Sequence, residues 1–458
     1  MTKRTRNVLF LTLLALFLVA APLAVLYSLG WRFDWRTKKI IQPGIFYFKV
    51  WPRNVEIYLD DKLEKKTDFF FGSGLIENLP PKKYEVEIKK ENFHAWRKNL
   101  EIKEREVTEV KNIVLIPTNP RFSPLSEDVE NFFFSPDGKK IILKEKDENG
   151  WGLKLFELNK NLKSHLIKEE DISRLGADLI DLEFSPDSKR IILKVGTKEK
   201  LIFYLLELDK IPPALTALSF PELEAEEVYF NPKTAEKLFF SEKGKLFEFT
   251  LTDKNISPSL LENIIAILIS RNNVYYLDNT GFIFRTDFSF SARDKLNSAP
   301  LHLKKETEYR IVASDFKITL KEDDVLYIFD ENKKLLEKVS EPVNNLKFSP
   351  DSKKFVYFND YEIWLLFTEK IIEPPRKESG EKIFLTRFSE KIDNVFWYTS
   401  HYLIFNVGDK IKVAEIDDRD KINIYDLIEF PTPEIFWSNK KLYVLSKQTI
   451  YVSEELIL

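Results

Sequence analysis

The sequence predicts an all-β protein in which a small sandwich-like β domain is followed by a β-propeller, with one transmembrane helix before both. Three observations lead to this prediction. An uncharged stretch lies near the N-terminus, the next segment alternates apolar and polar side chains, and a hairpin motif recurs through the remainder. The 458 residues include 38 Phe but only 13 Gly, and aromatic side chains favour pleated, half-buried strands.

The uncharged stretch covers residues 8–29, VLFLTLLALFLVAAPLAVLYSL, and is long enough to cross a bilayer. A helix of this length spans ~33 Å, against a hydrocarbon core of ~30 Å. Residues 1–7 contain Lys3, Arg4 and Arg6, which predicts a cytoplasmic basic stub. We therefore predict a single-pass protein of the cytoplasmic membrane, with its N-terminus in the cytoplasm and the bulk of the chain extracytoplasmic.

There are two alternatives to a signal anchor. A cleaved signal peptide would use Val19-Ala20-Ala21 as its processing site, but Pro22 follows directly and disfavours cleavage. A buried core helix is the other alternative. Residues 30–42 are predicted to be a juxtamembrane linker, and the aromatic side chains at 31, 33 and 35 suit the outer membrane interface.

Residues 43–117 are predicted to form the small β domain. Five segments alternate apolar and polar residues, as half-buried antiparallel strands do: GIFYFKVWP, NVEIYLDDK, KYEVEIKKENF, RKNLEIK and EVKNIVLIP. Between them, FGSG (71–74) and LPPKK (79–83) are predicted to be turns.

Two stretches of this domain, WPRNVEIYLDDK and GLIENLPPKKYEVEIKKENF, resemble the PEGA domain family. The matching positions are Pro52, Val55, Ile57, Asp60, Lys62, Leu79, Pro80, Tyr84, Val86 and Ile88. Three family glycines are replaced, by Asp61, by Pro81 and within Asn92-Phe93. Asp and Asn tolerate positive φ, whereas Pro81 requires another type of turn. The resemblance implies an extracytoplasmic, non-catalytic module of envelope or surface-layer proteins.

The recurring motif reads FSPDGKKIILK at 134–144, FSPDSKRIILK at 184–194 and FSPDSKKFVYF at 348–358, with a degraded copy at 230–240. Ser, Pro and Asp in this order suit the first three positions of a type I turn, so a structural role in hairpins is predicted. The turn residues are Ser135, Pro136, Asp137, Gly138, Ser185, Pro186, Asp187, Ser349, Pro350 and Asp351. The alternative is that the three aspartates form a ring of carboxylates that binds cations or basic partners.

The units around this motif have the spacing of four-stranded propeller blades, ~40–45 residues. We predict that residues 118–458 form the propeller, with eight blades in 128–458, or seven because 262–340 are weakly patterned. Residues 118–125 are predicted to supply a missing strand of the last blade. The FSPD signature resembles WD-repeat-like propellers of the TolB type, which implies the fold but no single function.

The composition and motifs give little sign of catalysis. With 70 basic and 73 acidic residues, the formal net charge of −3 indicates no general attraction to nucleic acid. The absence of cysteine excludes disulfides and thiolate chemistry. The four histidines are dispersed, and no HExxH, EF-hand, Walker or GxSxG motif occurs. We predict no catalytic residue, no cofactor and no metal site.

The predicted function is binding or scaffolding in the cell envelope, with a protein or a polysaccharide such as peptidoglycan as the partner. One alternative is an envelope hydrolase with its site on the axial face of the propeller, and another is a rigid spacer for an envelope assembly. The DDRD stretch (417–420) is predicted to be a solvated loop rather than a calcium site. Trp51, Trp96 and Trp151 could form a carbohydrate platform, although Trp96 in particular suits a domain core.

Overall fold

The computed structural model of the chain describes residues 3–34, 38–147, 150–172, 176–198, 200–314 and 317–457. Residues 1–2 of the predicted basic stub and Trp35 of the predicted interfacial belt lie outside these ranges. The first helix, α1 (Lys3–Ser28), is long and apolar enough to cross a membrane. It has no buried residue, which argues against the alternative of a core helix.

Nine strands follow α1 and form the predicted linker and small domain. They are β1 (Arg32–Asp34), β2 (Lys39–Ile41), β3 (Gly44–Trp51), β4 (Glu56–Leu59), β5 (Lys62–Lys66), β6 (Ser73–Leu79), β7 (Lys83–Lys89), β8 (Trp96–Glu101) and β9 (Val107–Val114). β1 and β2 pair as a hairpin inside the predicted linker. The other strands form two sheets, with the orders β6-β3-β9 and β5-β4-β7-β8, around one hydrophobic cluster.

Two details of the small domain differ from the prediction. β3 and β9 run parallel, so the expectation of antiparallel strands is wrong for this pair. β6 begins at Ser73, inside the stretch predicted to be a turn. Two of the residues that replace family glycines, Asp61 and Asn92, have the positive φ angles expected of them (64° and 66°). Asp61 shares a two-residue hairpin turn with Asp60, whose φ is also positive (49°).

The remaining strands form eight consecutive sheets, or blades, in the described part of the chain. The first strand, β10 (Phe122–Ser126), belongs to the last of these sheets. Blade 1 consists of β11 (Val129–Phe134), β12 (Lys140–Asp147), β13 (Gly150–Glu157) and β14 (Leu162–Lys168), and a short helix, α2 (Glu169–Ile172), follows it. Blade 2 consists of β15 (Asp178–Phe184), β16 (Arg190–Gly196), β17 (Leu201–Glu207) and β18 (Ala214–Leu218). Blade 3 has three strands, β19 (Glu227–Phe230), β20 (Lys237–Glu242) and β21 (Lys245–Thr250). Blade 4 consists of β22 (Ile264–Ile269), β23 (Val274–Asp278), β24 (Ile283–Thr286) and β25 (Arg293–Lys295).

The second half of the ring continues in the same way. Blade 5 consists of β26 (Tyr309–Ala313), β27 (Ile318–Glu322), β28 (Val325–Asp330) and β29 (Leu335–Ser340). Blade 6 consists of β30 (Asn345–Phe348), β31 (Lys354–Phe358), β32 (Glu362–Phe367) and β33 (Lys382–Arg387). Blade 7 consists of β34 (Ile392–Thr399), β35 (Tyr402–Val407), β36 (Lys410–Glu415) and β37 (Ile424–Glu429). Blade 8 consists of β38 (Glu434–Ser438), β39 (Lys441–Ser446) and β40 (Thr449–Ser453), together with β10.

The eight sheets close into a ring. β10 pairs with β40, with Phe122 opposite Ser453, so the predicted closing strand within residues 118–125 is confirmed. A hydrophobic cluster lies between every consecutive pair of blades. One of these clusters joins Ile450 of blade 8 to Val129 of blade 1. The described residues therefore form eight blades rather than seven, and each blade buries both faces against its neighbours.

Candidate functional site between the small domain and the propeller

The three complete FSPD motifs form hairpin turns with the same internal hydrogen bonds. In the first turn, Ser135 Oγ donates to Asp137 Oδ1 (2.6 Å), and the Gly138 N–H donates to the Ser135 carbonyl (2.9 Å). The other turns repeat both bonds at Ser185, Asp187 and Ser188, and at Ser349, Asp351 and Ser352. The last residue of each turn has a positive φ, between 56° and 66°.

The aspartates of these turns bond locally. Burial opposes ionisation of Asp137, but the hydrogen bonds from the Ser135 hydroxyl and the Lys139 N–H outweigh it and lower the pKa of the carboxyl. The pKa values of Asp187 and Asp351 are also lowered, because hydrogen bonds to these carboxylates likewise outweigh the effect of burial. These bonds agree with the structural interpretation of the motif. In the described part of the chain, no group of three or more His, Asp and Glu side chains could hold a metal ion.

The PEGA-like positions also make contacts within their own domain. Pro52 is buried, and the Tyr84 hydroxyl donates to the Pro80 carbonyl (2.9 Å). Asp60 Oδ1 accepts the Glu85 N–H (3.0 Å). Lys62 forms an ion pair with Glu64 (2.7 Å) on exposed strand β5. None of the five positions lines the cavity described below.

A buried ion pair joins the small domain to blade 7. Lys98 Nζ lies 2.8 Å from Glu415 Oε1, and the two side chains are 0% and 3% exposed. Lys98 also donates to the carbonyls of Asp417 (2.7 Å) and Lys421 (2.9 Å), while Trp96 Nε1 donates to Glu415 Oε2 (2.8 Å). Burial raises the pKa of Glu415, and the opposing effects of Lys98 and Trp96 are smaller. Because its donors and acceptors are bonded, this pair fixes how the domain sits on the propeller.

The DDRD stretch is a loop, as predicted, and Asp418 is exposed, but Asp417, Arg419 and Asp420 are half-buried because the loop belongs to the same joint. The Asn99 N–H donates to Asp420 (2.7 Å), and Arg419 donates to the Glu109 carbonyl (2.7 Å). The suggested carbohydrate platform is not present, because Trp96 and Trp151 are buried and Trp51 is half-buried against Phe93. These side chains serve packing, as suggested for Trp96.

A cleft of about 380 Å³ lies beside this joint, between the small domain and blades 6 and 7. One wall is apolar and comes from the loop between β32 and β33, where Ile371, Ile372, Pro374 and Pro375 line the cleft. Ile372 is 76% exposed. Trp96 and Ile113 contribute the wall on the side of the small domain.

The floor of the cleft is polar and contains Asp351, Lys354 and His401. Lys354 Nζ lies 2.7 Å from Asp351 Oδ2, and burial lowers the pKa of Lys354 against the effect of this carboxylate. Burial lowers the pKa of His401 below 6.5, and the Lys354 charge acts in the same direction. The His401 imidazole is therefore neutral near pH 7, with one nitrogen able to donate a hydrogen bond and the other able to accept one.

Asp351 differs from the other two motif aspartates because it forms an ion pair with the lysine of its own turn, Lys354. At the equivalent position of blade 1, Lys140 Nζ donates to the Ser188 carbonyl (2.8 Å) in the next blade, and Arg190 likewise bonds Ala235. Lys354 instead turns back to its own Asp351. The turn of the following blade contains His401 in place of an FSPD motif, so the floor of the cleft forms where the repeat is interrupted.

Two enclosed titratable side chains lie on first strands of opposite blades. The Glu183 side chain of blade 2 is in contact with solvent, but many protein atoms lie close to it. The resulting loss of hydration, followed by the charges of Asp181 and Glu227, raises the pKa of Glu183 to about 7. Burial lowers the pKa of Lys347 in blade 6 to about 7. Its ammonium lies 3.3 Å from the centre of the Phe396 ring.

We expect Glu183→Gln to remove a pH dependence of stability between pH 4.5 and about 7. The raised pKa means that the folded protein binds more protons than the unfolded chain in this window, so the wild type loses stability as pH rises. The variant should match the wild type near pH ~4 and exceed it above pH ~7 by about 1 kcal/mol, since solvent around the carboxylate reduces the full effect. Thermal denaturation across this range measures it, with the exposed Glu127→Gln as control. Parallel pH profiles for Glu183→Gln and the wild type would contradict the prediction.

The chain has similarity to solved propeller structures but not to known sequences. No family model matches the chain, and no curated protein matches it in sequence. The chain is similar to the Dos1 propeller (12% identity, 73% of this chain and 94% of that one, TM-score 0.48). It is also similar to the computationally designed Ika8 protein (12% identity, 71% of this chain and 96% of that one, TM-score 0.46). A third similar structure is the WD40 domain of SCAP from fission yeast (12% identity, 73% of this chain and 98% of that one, TM-score 0.43).

The strand order, the closing strand and the clusters between blades define the chain as an eight-bladed β-propeller protein. Its propeller carries a small β domain on blade 7, through the Lys98–Glu415 joint. The resemblances of this domain to PEGA domains and of the propeller to the TolB type stay predictions.

Proposed function

We propose that the protein is a non-catalytic, membrane-anchored scaffold of the cell envelope, and that the cleft between the small domain and blades 6 and 7 binds its partner. The cleft carries this proposal. Two units meet at a buried ion pair and leave a concavity of about 380 Å³ with a polar floor and an apolar wall. Clefts of this size between domains are common binding sites.

The chemistry of the cleft suits an extended segment of an envelope protein or polysaccharide. The neutral His401 offers one donor and one acceptor at the floor, and the exposed Ile372 offers apolar contact at the rim. No Ser, Thr or Cys is among the described residues that line the cleft around His401, so the lining gives no support to a hydroxyl or thiol nucleophile activated by this histidine.

A hydrolase site on the axial face has less support. The eight first strands include Glu183, Asp181 and Glu227 on blades 2 and 3, but their described residues include no histidine. The four histidines lie elsewhere, at 94, 165, 302 and 401. General acid–base chemistry at the axis would then depend on carboxylates, Lys347 and tyrosines such as Tyr229, without a histidine.

The proposed arrangement places residues 1–7 in the cytoplasm, 8–29 in the membrane and 30–42 at its outer surface, with domains 43–117 and 118–458 outside. Its support is α1, whose apolar side chains are solvent-exposed and are preceded by basic residues. The buried Lys98–Glu415 pair also favours a second candidate, a rigid spacer, because it holds the two domains in one orientation.

A photo-crosslinking amino acid at Ile372 of the full-length protein, in its native membranes, is expected to form a discrete adduct. Ile372 lies at the rim of the cleft, whereas the fully exposed Ile211 of blade 2 lies outside it and is the matched control. Gel electrophoresis and mass spectrometry measure the adducts. Adding His401→Trp, which fills the floor, should abolish the adduct at 372. Labelling at 372 that equals labelling at 211, or that survives His401→Trp, would exclude cleft binding and favour the spacer.

A further inference from the structure

We propose that the Phe loop, residues 68–72 of the small domain, is a second membrane contact that inserts Phe69, Phe70 and Phe71 into the outer surface of the bilayer. This inference rests on the proposed anchoring of the chain by α1. The loop connects β5 to β6. It plays no part in the cleft or in the joint with blade 7.

The three phenylalanines are the most exposed aromatic cluster of the small domain. Their side chains are 71%, 72% and 77% exposed, and the rings of Phe69 and Phe70 contact each other edge to face, with centroids 5.6 Å apart. Exposing a Phe side chain to water is unfavourable. A contiguous group of exposed apolar side chains therefore indicates a surface that is covered in use.

The loop holds a defined conformation without core packing. The Asp68 carboxylate accepts the N–H groups of Phe70 (2.9 Å), Phe71 (2.5 Å) and Ser73 (2.7 Å), together with the Ser73 hydroxyl. These bonds, with the Ser73 hydroxyl contributing most, lower the pKa of Asp68 to about 2. Gly72 has a φ of 65°, and a Cβ there would lie 2.4 Å from the Val50 carbonyl oxygen. The backbone is thus fixed at both ends, and the rings are held outward as a convex tip.

Three cations lie near the base of the tip, against one carboxylate, Asp68, in the loop itself. Lys49 lies opposite Ser73 in the sheet, Arg53 lies beside Gly72, and Lys65 is exposed on the neighbouring strand β5. Within the described part of the chain, none of these three cations forms an ion pair with a carboxylate, and Lys65 donates to the Leu75 carbonyl (2.9 Å). Aromatic rings at a protruding tip with cations behind them match an interface with anionic lipids.

The loop lies within reach of the membrane that α1 would occupy. The β1–β2 hairpin sets Ile41 opposite Arg32, so Gly44 at the start of β3 follows soon after the end of α1. β3 has eight residues and spans roughly 25 Å, and the Phe loop lies at its far end. A small domain that lies with β3 along the bilayer surface therefore places the loop at the interface. A convex apolar tip suits insertion into lipid, whereas a peptide or glycan is bound in a concave groove.

The absence of cysteine allows single-cysteine labelling of the full-length chain. An environment-sensitive fluorophore is attached at Phe70→Cys, at Leu18→Cys inside α1, or at Ile211→Cys on blade 2. Each protein is reconstituted into vesicles of phosphatidylcholine and phosphatidylglycerol that carry a spin-label quencher on the acyl chains. We expect blue-shifted emission and several-fold stronger quenching at positions 18 and 70 than at 211.

The three positions separate failure of the anchor from failure of the inference. Quenching at 18 but not at 70 would overturn the lipid contact of the loop and leave the anchor intact. No quenching at either position would overturn both. Adding Phe69→Ser and Phe71→Ser to the Phe70→Cys protein should remove the quenching at 70. Quenching that persists in this variant would show that the insertion of the rings does not cause it.

Discussion

Replacing Lys98 with methionine is expected to destabilise the joint between the small domain and the propeller by about 3–5 kcal/mol. The substitution leaves the Glu415 carboxylate buried without its ammonium partner, and it removes the donor to the carbonyls of Asp417 and Lys421. Burial already raises the pKa of Glu415, so the unpaired carboxyl should take up a proton as pH falls. The destabilisation should therefore be smaller at acidic pH.

Hydrogen exchange of strands β8 and β36, which carry the two charges, measures this effect directly, and thermal denaturation measures its global part. The control is Lys65→Met, which removes an exposed lysine from β5 of the same domain. The double variant Lys98→Met/Glu415→Leu should recover part of the lost stability, because it leaves no unpaired charge. The recovery is incomplete because the Trp96 N–H and two N–H donors of Asn423 lose their acceptor. Equal exchange in Lys98→Met and Lys65→Met would show that the ion pair does not hold the joint.

The propeller could be predicted from the sequence because its strongest signal is local. Each FSPD turn is stabilised by bonds between residues two to five positions apart, such as Ser135 with Asp137, so the same short sequence specifies the same hairpin in each blade. The closing strand was also predictable, since the last unit lacked one strand and residues 118–125 were unassigned. The parallel pairing of β3 with β9 was not, because alternation of apolar residues shows strands but not their direction.

The candidate site could not be predicted, because its residues come together only in the folded chain. Trp96 and Glu415 are separated by 319 positions, and neither belongs to a motif. Asp351 was singled out because it repeats, but its place in the cleft follows from the way Lys354 bonds and from the interrupted repeat that contains His401. The charged loop at 417–420 was a weak indication of the joint, because Arg419 and Asp420 of this loop form hydrogen bonds with the small domain.

Ring closure is the second feature for which a large effect is expected. Replacing Ile450 with alanine should destabilise the propeller by about 2–5 kcal/mol, the usual cost of truncating a fully buried Ile side chain. Ile450 is 0% exposed and packs in the cluster between blades 8 and 1, where the last sheet meets the first. A cavity there weakens the contact that joins the two ends of the chain into a ring, so unfolding should begin at this junction.

The thermal midpoint of the full-length protein and hydrogen exchange of β10, β11 and β40 test this expectation. Ile211→Ala is the matched control, because it makes the same truncation at a fully exposed position and should change stability by less than about 0.5 kcal/mol. If blade 8 closes the ring, Ile450→Ala should raise exchange in β10 as well as in β40, since β10 is held in the last sheet by its pairing with β40. Loss of protection in β40 alone, with β10 and the midpoint unchanged, would mean that the contact between blades 8 and 1 contributes little to stability and that the remaining clusters hold the propeller together.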